Sequence, residues 1–217
     1  MTLTPASIMQ ALEPLYGWPQ SMPSHDPLAE LILTVLSQNT ADTNSGRAFV
    51  QLMRRYPSWD AIASAPLDQL VATIQTGGLA QQKAPRIQAI LRAVAERSPD
   101  WDLSFLETMP LEEARAWLRS LPGVGPKTAA CVLLFSLGRP ALPVDTHVER
   151  VSKRLGLIPG KATADQAHDL LEVLVDPVDY YPFHMLLIKH GRRICSARKP
   201  ACERCPILDC PSRLPGM

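Results

Sequence analysis

The chain is short of several things, and each shortage narrows what it is. No apolar run approaches the roughly 20 residues that a membrane-spanning helix needs, so no membrane partner is expected. The opening stretch MTLTPASIMQALEPL has no basic region, no apolar core and no small-residue cleavage site, the three parts of a secretory signal. Thr4 and Pro5 read instead as a helix start, and a cytoplasmic protein is the expectation. No period-two alternation marks a strand, and there is neither an internal repeat nor a low-complexity tract. Net charge is only +1, so bulk charge alone does not point to nucleic acid.

What the chain has is helix. The 46% hydrophobic content over 217 residues suffices for one folded core or two small ones. The 21 prolines fit many short helices with abrupt starts. Helical spacing predicts a first helix from Pro5 to about Tyr16, then a linker over Gly17 to His25. Asp26 as N-cap and Pro27 at the first helical position open a second helix through Leu36. Ser37 to Thr40 interrupts it, and Asp42 restarts a helix with Ala48, Phe49, Leu52 and Met53 on one face. Short helices are predicted around Trp59 to Ser64 and Leu67 to Gln75. Gly77 and Gly78 make a firm break before a helix from about Lys83 to Glu96. Thr163 with Gln166 forms a capping box, and Tyr181 to His190 is the last long helix, ended by Gly191. Helices joined by short turns predict an all-α fold.

Chemistry concentrates between Leu121 and Val148, in LPGVGPKTAACVLLFSLGRPALPVDTHV. A helix carrying Leu111, Ala114, Trp117 and Leu118 leads into the turn Pro122-Gly123-Val124-Gly125. Gly123 and Gly125 are free to take positive φ, and Pro126 suits the first position of the next helix. Such a corner turns backbone N–H groups outward at a helix start and binds phosphate. Lys127 follows in the first helical turn, the unfavourable end of the dipole for a cation. A solvated charge, a phosphate contact and an amine nucleophile of lowered pKa all fit it. Asp145 or Thr146 caps a further helix, with Thr146 and Glu149 matching a capping box, and Gly156 stops that helix near Leu155.

Cys195, Cys202, Cys205 and Cys210 read C-x6-C-x2-C-x4-C, while Cys131 lies alone in the apolar run AACVLLF and reads as core. Dense thiols in a cytoplasmic chain point to metal rather than disulfides. Structural zinc and an iron–sulfur cluster both use four thiolates, and spacing does not separate them. The same end is locally basic, with Lys189, Arg192, Arg193, Arg198, Lys199, Arg204 and Arg213 against Glu203 and Asp209, which suits a phosphate-facing surface.

Taken in order, these motifs resemble the endonuclease III family, within the helix-hairpin-helix and Gly/Pro…Asp superfamily of DNA glycosylases. LPGVGPKTA followed by VDTHV matches its hairpin, lysine and aspartate. Ser37-Gln38-Asn39-Thr40-Ala41-Asp42 resembles the loop that carries a gap-filling glutamine, and Gly77-Gly78-Leu79 the loop that presents an apolar wedge. Ser196-Ala197-Arg198-Lys199-Pro200, between the first two clustered cysteines, is similar to the family's cluster loop. The likeness runs from about Asp26 to Cys210. The chain departs from the family in three places: C-x4-C replaces C-x5-C, an ungapped match sets Asn39 rather than Gln38 at the glutamine position, and Ala80-Gln81-Gln82 lacks the tyrosine and asparagine of close relatives.

The resemblance implies two helical domains flanking a DNA cleft: residues 26–139 with the hairpin, and an iron–sulfur domain built from 1–25 and 140–217. It implies a cytoplasmic, nucleoid-associated monomer acting on double-stranded DNA with damaged bases or abasic sites. Gly123, Val124 and Gly125 would grip phosphate through their amides, as would Arg198 and Lys199 from the cluster loop. Leu79 with Gln38 or Asn39 would open the duplex. Lys127 would attack the sugar C1′ and cut by β-elimination through a Schiff base. Asp145 would deprotonate the lysine or stabilise the cationic sugar. His147 is implied to be a neutral polar support, and His184 and His190 to be structural or DNA-backbone contacts. The four cysteines would hold a [4Fe-4S] cluster, with zinc as the alternative. Removal of oxidised pyrimidines is the implied activity. A monofunctional mismatch or alkylation glycosylase and a non-catalytic DNA-structure-binding protein are the other readings.

Overall fold

The computed structural model describes residues 3–213; positions 1–2 and 214–217, the extremities of the expected iron–sulfur domain, lie outside them. The helices are α1 (Pro5–Tyr16), α2 (Pro27–Ser37), α3 (Asp42–Arg55), α4 (Trp59–Ser64), α5 (Leu67–Thr73), α6 (Ala80–Arg97), α7 (Phe105–Thr108), α8 (Leu111–Ser120), α9 (Pro126–Cys131), α10 (Thr146–Arg154), α11 (Ala164–Leu174) and α12 (Tyr180–Arg193). No strand occurs among the described residues, so the fold is all-α, and no described helix is long and apolar enough to cross a membrane. The chain separates into two compact units: one is continuous, Pro23–Arg139, and the other joins Met1–Met22 to Pro140–Met217.

Local chemistry explains several helix starts. The carboxylate of Asp26 accepts from the Ala29 amide at 2.9 Å, and Thr4 and Thr163 each complete a reciprocal capping box, with Ser7 and Gln166. In the continuous unit, Leu31, Ile32, Val35 and Leu36 of α2 are wholly removed from water, as are Ile87, Ile90, Leu91 and Val94 of α6. At roughly 1.5–3 kcal/mol per buried side chain, these two helices supply much of that unit's apolar drive. The helix α9 continues into a widened π-helical turn, Val132–Ser136, that is also packed inside.

Four expectations need correction. The helix α6 begins at Ala80, not Lys83, because Leu79 takes a left-handed backbone (φ 51°) that serves as its cap. Met53 on α3 is exposed, and Ser45 is buried in its stead beside Ala48 and Leu52. Thr146 and Glu149 form no capping box: Asp145 caps α10, and Glu149 instead pairs with Lys153 one turn on. Finally, Gly191 does not end the last helix but lies buried within it.

The reason for that glycine is tertiary. In the discontinuous unit α10 and α1 both pack on α12, around Ile8, Leu12, Val148, Val151, Phe183, Leu186 and Leu187. A Cβ at Gly191 would stand 3.0 Å from both Arg150 Nη2 and His147 Cβ, so the absent side chain sets how closely α10 approaches.

A matched pair of substitutions tests this. Gly191→Ala should destabilise the protein by about 1–3 kcal/mol through overpacking. Gly46→Ala, inside α3 with nothing within 4 Å of the new carbon, should stabilise it by roughly 0.5–1 kcal/mol. Urea unfolding of both variants reads the opposite signs.

Candidate functional site

In the continuous unit α8 is followed by its C-cap Leu121, whose carbonyl accepts from the Val124 amide at 3.1 Å to close the turn. Gly123 takes φ +72°, a left-handed geometry that favours glycine, whereas Gly125 is extended (φ −94°, ψ −180°). The expectation of positive φ at both glycines is thus corrected: only the first needs it. Val124 is also not a surface residue, since its side chain is buried, and the turn offers a ligand backbone only. Among the described residues the amides of Gly123 and Gly125 make no backbone hydrogen bond.

Lys127 is the second residue of α9 and half-buried. Its charge acts on Glu30, a residue of α2 that sequence reasoning passed over. Burial holds the Glu30 carboxyl above its ordinary value of 4.5; the Thr34 hydroxyl, donating at 3.1 Å, and then Lys127 oppose that rise. A half-buried glutamate within the field of this lysine is a relation that helical periodicity does not reveal.

The Gln38 and Asn39 alternatives part company. Gln38 is engaged at both ends of its amide: Nε2 donates to Gly123 O at 3.4 Å and Thr128 Oγ1 at 3.5 Å, and Oε1 accepts from Arg86 Nη1 at 2.7 Å. Asn39 is exposed at the loop tip with φ +52°. Leu79 shares that left-handed geometry and is 47% exposed. A leucine held there costs of order 1 kcal/mol or more. Nearby, Lys83 was expected only to begin a helix; it is 1% exposed and bonded to both loops.

Asp145 belongs to the other unit. Its Oδ1 accepts from the amides of His147 (2.9 Å) and Val148 (2.8 Å), so the cap uses one carboxylate oxygen. The Nδ1 of His147 faces Arg150 Nη2 at 3.0 Å, a contact that suits the neutral ring. Arg150 also donates to Gly191 O at 2.9 Å and Cys195 O at 3.2 Å.

Cys195, Cys202, Cys205 and Cys210 are all free thiols lining one recess of about 380 Å³, which includes its open mouth. Arg154 Nη1 lies 3.3 Å from Cys195 Sγ and donates to Ser196 O at 2.7 Å, while Nη2 donates to Ala197 O at 2.8 Å. That grip leaves Arg198 and Lys199 exposed at the loop tip. Burial pushes the Cys205 and Cys210 thiols above their ordinary 9.0. Among the described residues no three Cys, His, Asp or Glu side chains gather closely enough to hold a single metal ion. Four thiols lining one recess are the donor chemistry of a tetrathiolate site, which either zinc or an iron–sulfur cluster uses.

His184 and His190 are buried, at 2% and 1% exposure, which overturns the reading of them as DNA-backbone contacts and leaves the structural one. His184 Nδ1 meets Pro143 O at 2.7 Å. His190 lies between Tyr16 Oη (3.3 Å) and Cys205 Sγ (3.6 Å), and burial pulls its pKa down to about 4.

With this geometry in view, residues 32–177 match the HhH-GPD superfamily of base excision DNA repair proteins, and residues 195–209 the iron-sulfur binding domain of endonuclease III. Endonuclease III of Thermotoga maritima is 37% identical over 199 residues, covering 90% of this chain and 87% of that one. A protein of Arabidopsis thaliana named as a DNA glycosylase is 36% identical over 186 residues, 83% of this chain. The match spans only 63% of that relative's length. Among solved structures, a trapped endonuclease III–DNA covalent intermediate matches with a TM-score of 0.82 at 29% identity, over 97% of both chains.

Glu30 carries a pH signature. A carboxyl whose folded pKa is raised contributes stability below the unfolded value that is lost as pH rises through the folded one. At pH 7, well above the unfolded value, the buried Glu30 carboxyl thus lowers stability. Glu30→Gln should raise the urea midpoint at pH 7, and the difference should close as pH falls below 4.5. No gain at pH 7 would mean that Lys127 outweighs burial.

Proposed function

From the premise that the chain belongs to the HhH-GPD superfamily of base excision DNA repair proteins, as an endonuclease III relative, we propose that it is a bifunctional DNA glycosylase and abasic-site lyase. Its substrate is double-stranded DNA carrying oxidised pyrimidines or abasic sites, and it works as a monomer. The observation that carries this reading is Lys127 itself: a half-buried amine in the first turn of α9, directly behind a glycine turn whose Gly123 and Gly125 amides make no backbone hydrogen bond.

In this mechanism the Gly123 and Gly125 amides hold a phosphate, and the exposed Leu79 and Asn39 enter the base stack as the target nucleotide turns out. Gln38, engaged by Arg86 and the hairpin, sets the loop rather than filling the gap. The Lys127 amine forms a bond to C1′ as the glycosidic C–N bond breaks, and the base departs with its electron pair and takes up a proton. Ring opening gives a Schiff base, which acidifies the 2′-hydrogen. Its removal expels the 3′-phosphate oxygen by β-elimination. Asp145, with Oδ2 outside the cap, takes a proton from the lysine or faces the cationic sugar.

Cys195, Cys202, Cys205 and Cys210 hold a [4Fe-4S] cluster in this reading, in preference to zinc. The recess the four thiols share, and the match of residues 195–209 to the iron-sulfur binding domain of endonuclease III, support the choice. When bound, the cluster supplies a rigid frame for the loop that carries Arg198 and Lys199 to phosphate, not chemistry at the sugar.

Borohydride trapping on duplexes with an abasic site or an oxidised pyrimidine is the test. A covalent adduct should form with the native protein and vanish in Lys127→Ala; base release without an adduct would instead support a monofunctional glycosylase. Asp145→Asn should cut turnover by about 10²–10⁴-fold while changing stability by less than about 0.5 kcal/mol, since asparagine caps as well as aspartate. Full turnover in that variant would reduce Asp145 to a cap.

The cofactor is checked separately. Anaerobically purified protein should show a broad charge-transfer absorbance near the visible edge, and Cys202→Ala should lose it together with protease resistance at residues 195–213. A colourless protein with stoichiometric zinc would overturn the cluster.

A further inference from the structure

Lys83 is the one large charged side chain in the continuous unit's core, and its surroundings are unusual in kind. Its Nζ donates to Leu36 O at 2.6 Å, Thr40 Oγ1 at 2.8 Å and Gly77 O at 2.8 Å. An ammonium has three protons, and each has found an oxygen. All three acceptors are neutral, and among the described residues no carboxylate pairs with it. An ion buried this way is costly unless its hydrogen bonds are complete. The interaction therefore holds its partners in place rather than adding net stability.

The partners are the point. Leu36 is in the last turn of α2, Thr40 closes the loop that presents Asn39, and Gly77 begins the segment that presents Leu79. The Thr40 hydroxyl itself reaches Gly77 O at 2.6 Å, so the two segments and the ammonium form one closed triangle. Asn39 and Leu79, the two non-glycine residues in left-handed backbone on these segments, each lie within two residues of a triangle corner. One helical turn further on, Arg86 of α6 extends the arrangement to a third segment: it bonds Gln38, and its guanidinium crosses Gly123 so closely that a Cβ there would sit 2.5 Å from Nε.

We propose that Lys83 is a positioning residue for base extrusion, latching the Asn39 and Leu79 loops into one rigid unit so that both enter the base stack together. The inference rests on the glycosylase–lyase reading above. It assigns Lys83 no contact with DNA and no part in the chemistry at C1′. Its work is done before the reaction: two strained tips held in fixed register need no further ordering when the duplex opens.

Two variants and two readouts test it. Lys83→Met keeps the apolar stem and removes the three donors. Thr40→Val removes the bridging hydroxyl while leaving the ammonium in place, and circular dichroism confirms that each variant is folded. Hydrogen exchange on the full chain should show segments 37–40 and 77–79 losing protection together in Lys83→Met. Loss in only one segment, or in neither, would overturn the latch.

The second readout compares a fully paired duplex carrying an oxidised pyrimidine with a single-stranded oligonucleotide carrying an abasic site, which needs no extrusion. Lys83→Met should cut base release from the duplex by about 10- to 100-fold and leave single-strand cleavage within about twofold. Thr40→Val should show the same selectivity in weaker form. An equal fall on both substrates marks a merely structural lysine and refutes the proposal, as does no fall on either. A native protein inert on both substrates would instead refute the glycosylase–lyase reading, and the positioning role with it.

Discussion

Within the continuous unit, the arrangement depends on α2 having one face entirely out of water. Leu31, Ile32, Val35 and Leu36 anchor it against α3, α6 and α9, and the polar groups at issue are placed by that anchoring. Glu30, one turn into the helix, is brought under the influence of Lys127 because α9 packs there. Leu36 offers its carbonyl to Lys83 because the helix stops one residue later. The Gln38–Thr40 loop begins directly at that stop. Loosening the apolar face would move the lysine's neighbour and both strained tips at once, which is why hydrophobic packing and chemistry are not separable here.

In the discontinuous unit α10 plays the corresponding part. Its first turn is closed by Asp145, and its later turns extend Arg150 and Arg154 onto the carbonyls of Cys195, Ser196 and Ala197. One short helix thus carries a candidate catalytic carboxylate at one end and the support of the thiol loop at the other. Gly191 lets that helix seat against α12. Guanidinium groups suit this duty because their forked donors satisfy several carbonyls from one side chain.

How much of this was legible in the sequence depends on how local the cause is. The caps at Thr4, Asp26 and Thr163 follow from side chains reaching amides two or three residues away, and all three form. The all-α class follows from periodicity. Gly191 misled because a glycine late in a helix reads as a stop, whereas its cause is a neighbour distant in sequence. Whether His184 and His190 were structural or faced DNA was not legible because burial is a tertiary property. Lys83 and Glu30 were passed over for the same reason: on helix surfaces such residues are ordinary solvated charges, and only packing shows that these two are not. The different surroundings of Gln38 and Asn39 had no local signal either, since Gln38 is engaged by Arg86 and Gly123, both distant in sequence.

The division of the chain into a continuous unit and one built from both its ends also has a consequence in time. The segment Pro23–Arg139 is contiguous in sequence, so the partners within its own core are all made before Pro140. The helix α1 is made first, yet its apolar face of Ile8, Met9 and Leu12 is covered by α12, among the last helices translated. At ordinary synthesis rates that face waits on the order of ten seconds or more for its partner. During that interval it is a short amphipathic segment with nothing to bury against, a natural client for a chaperone.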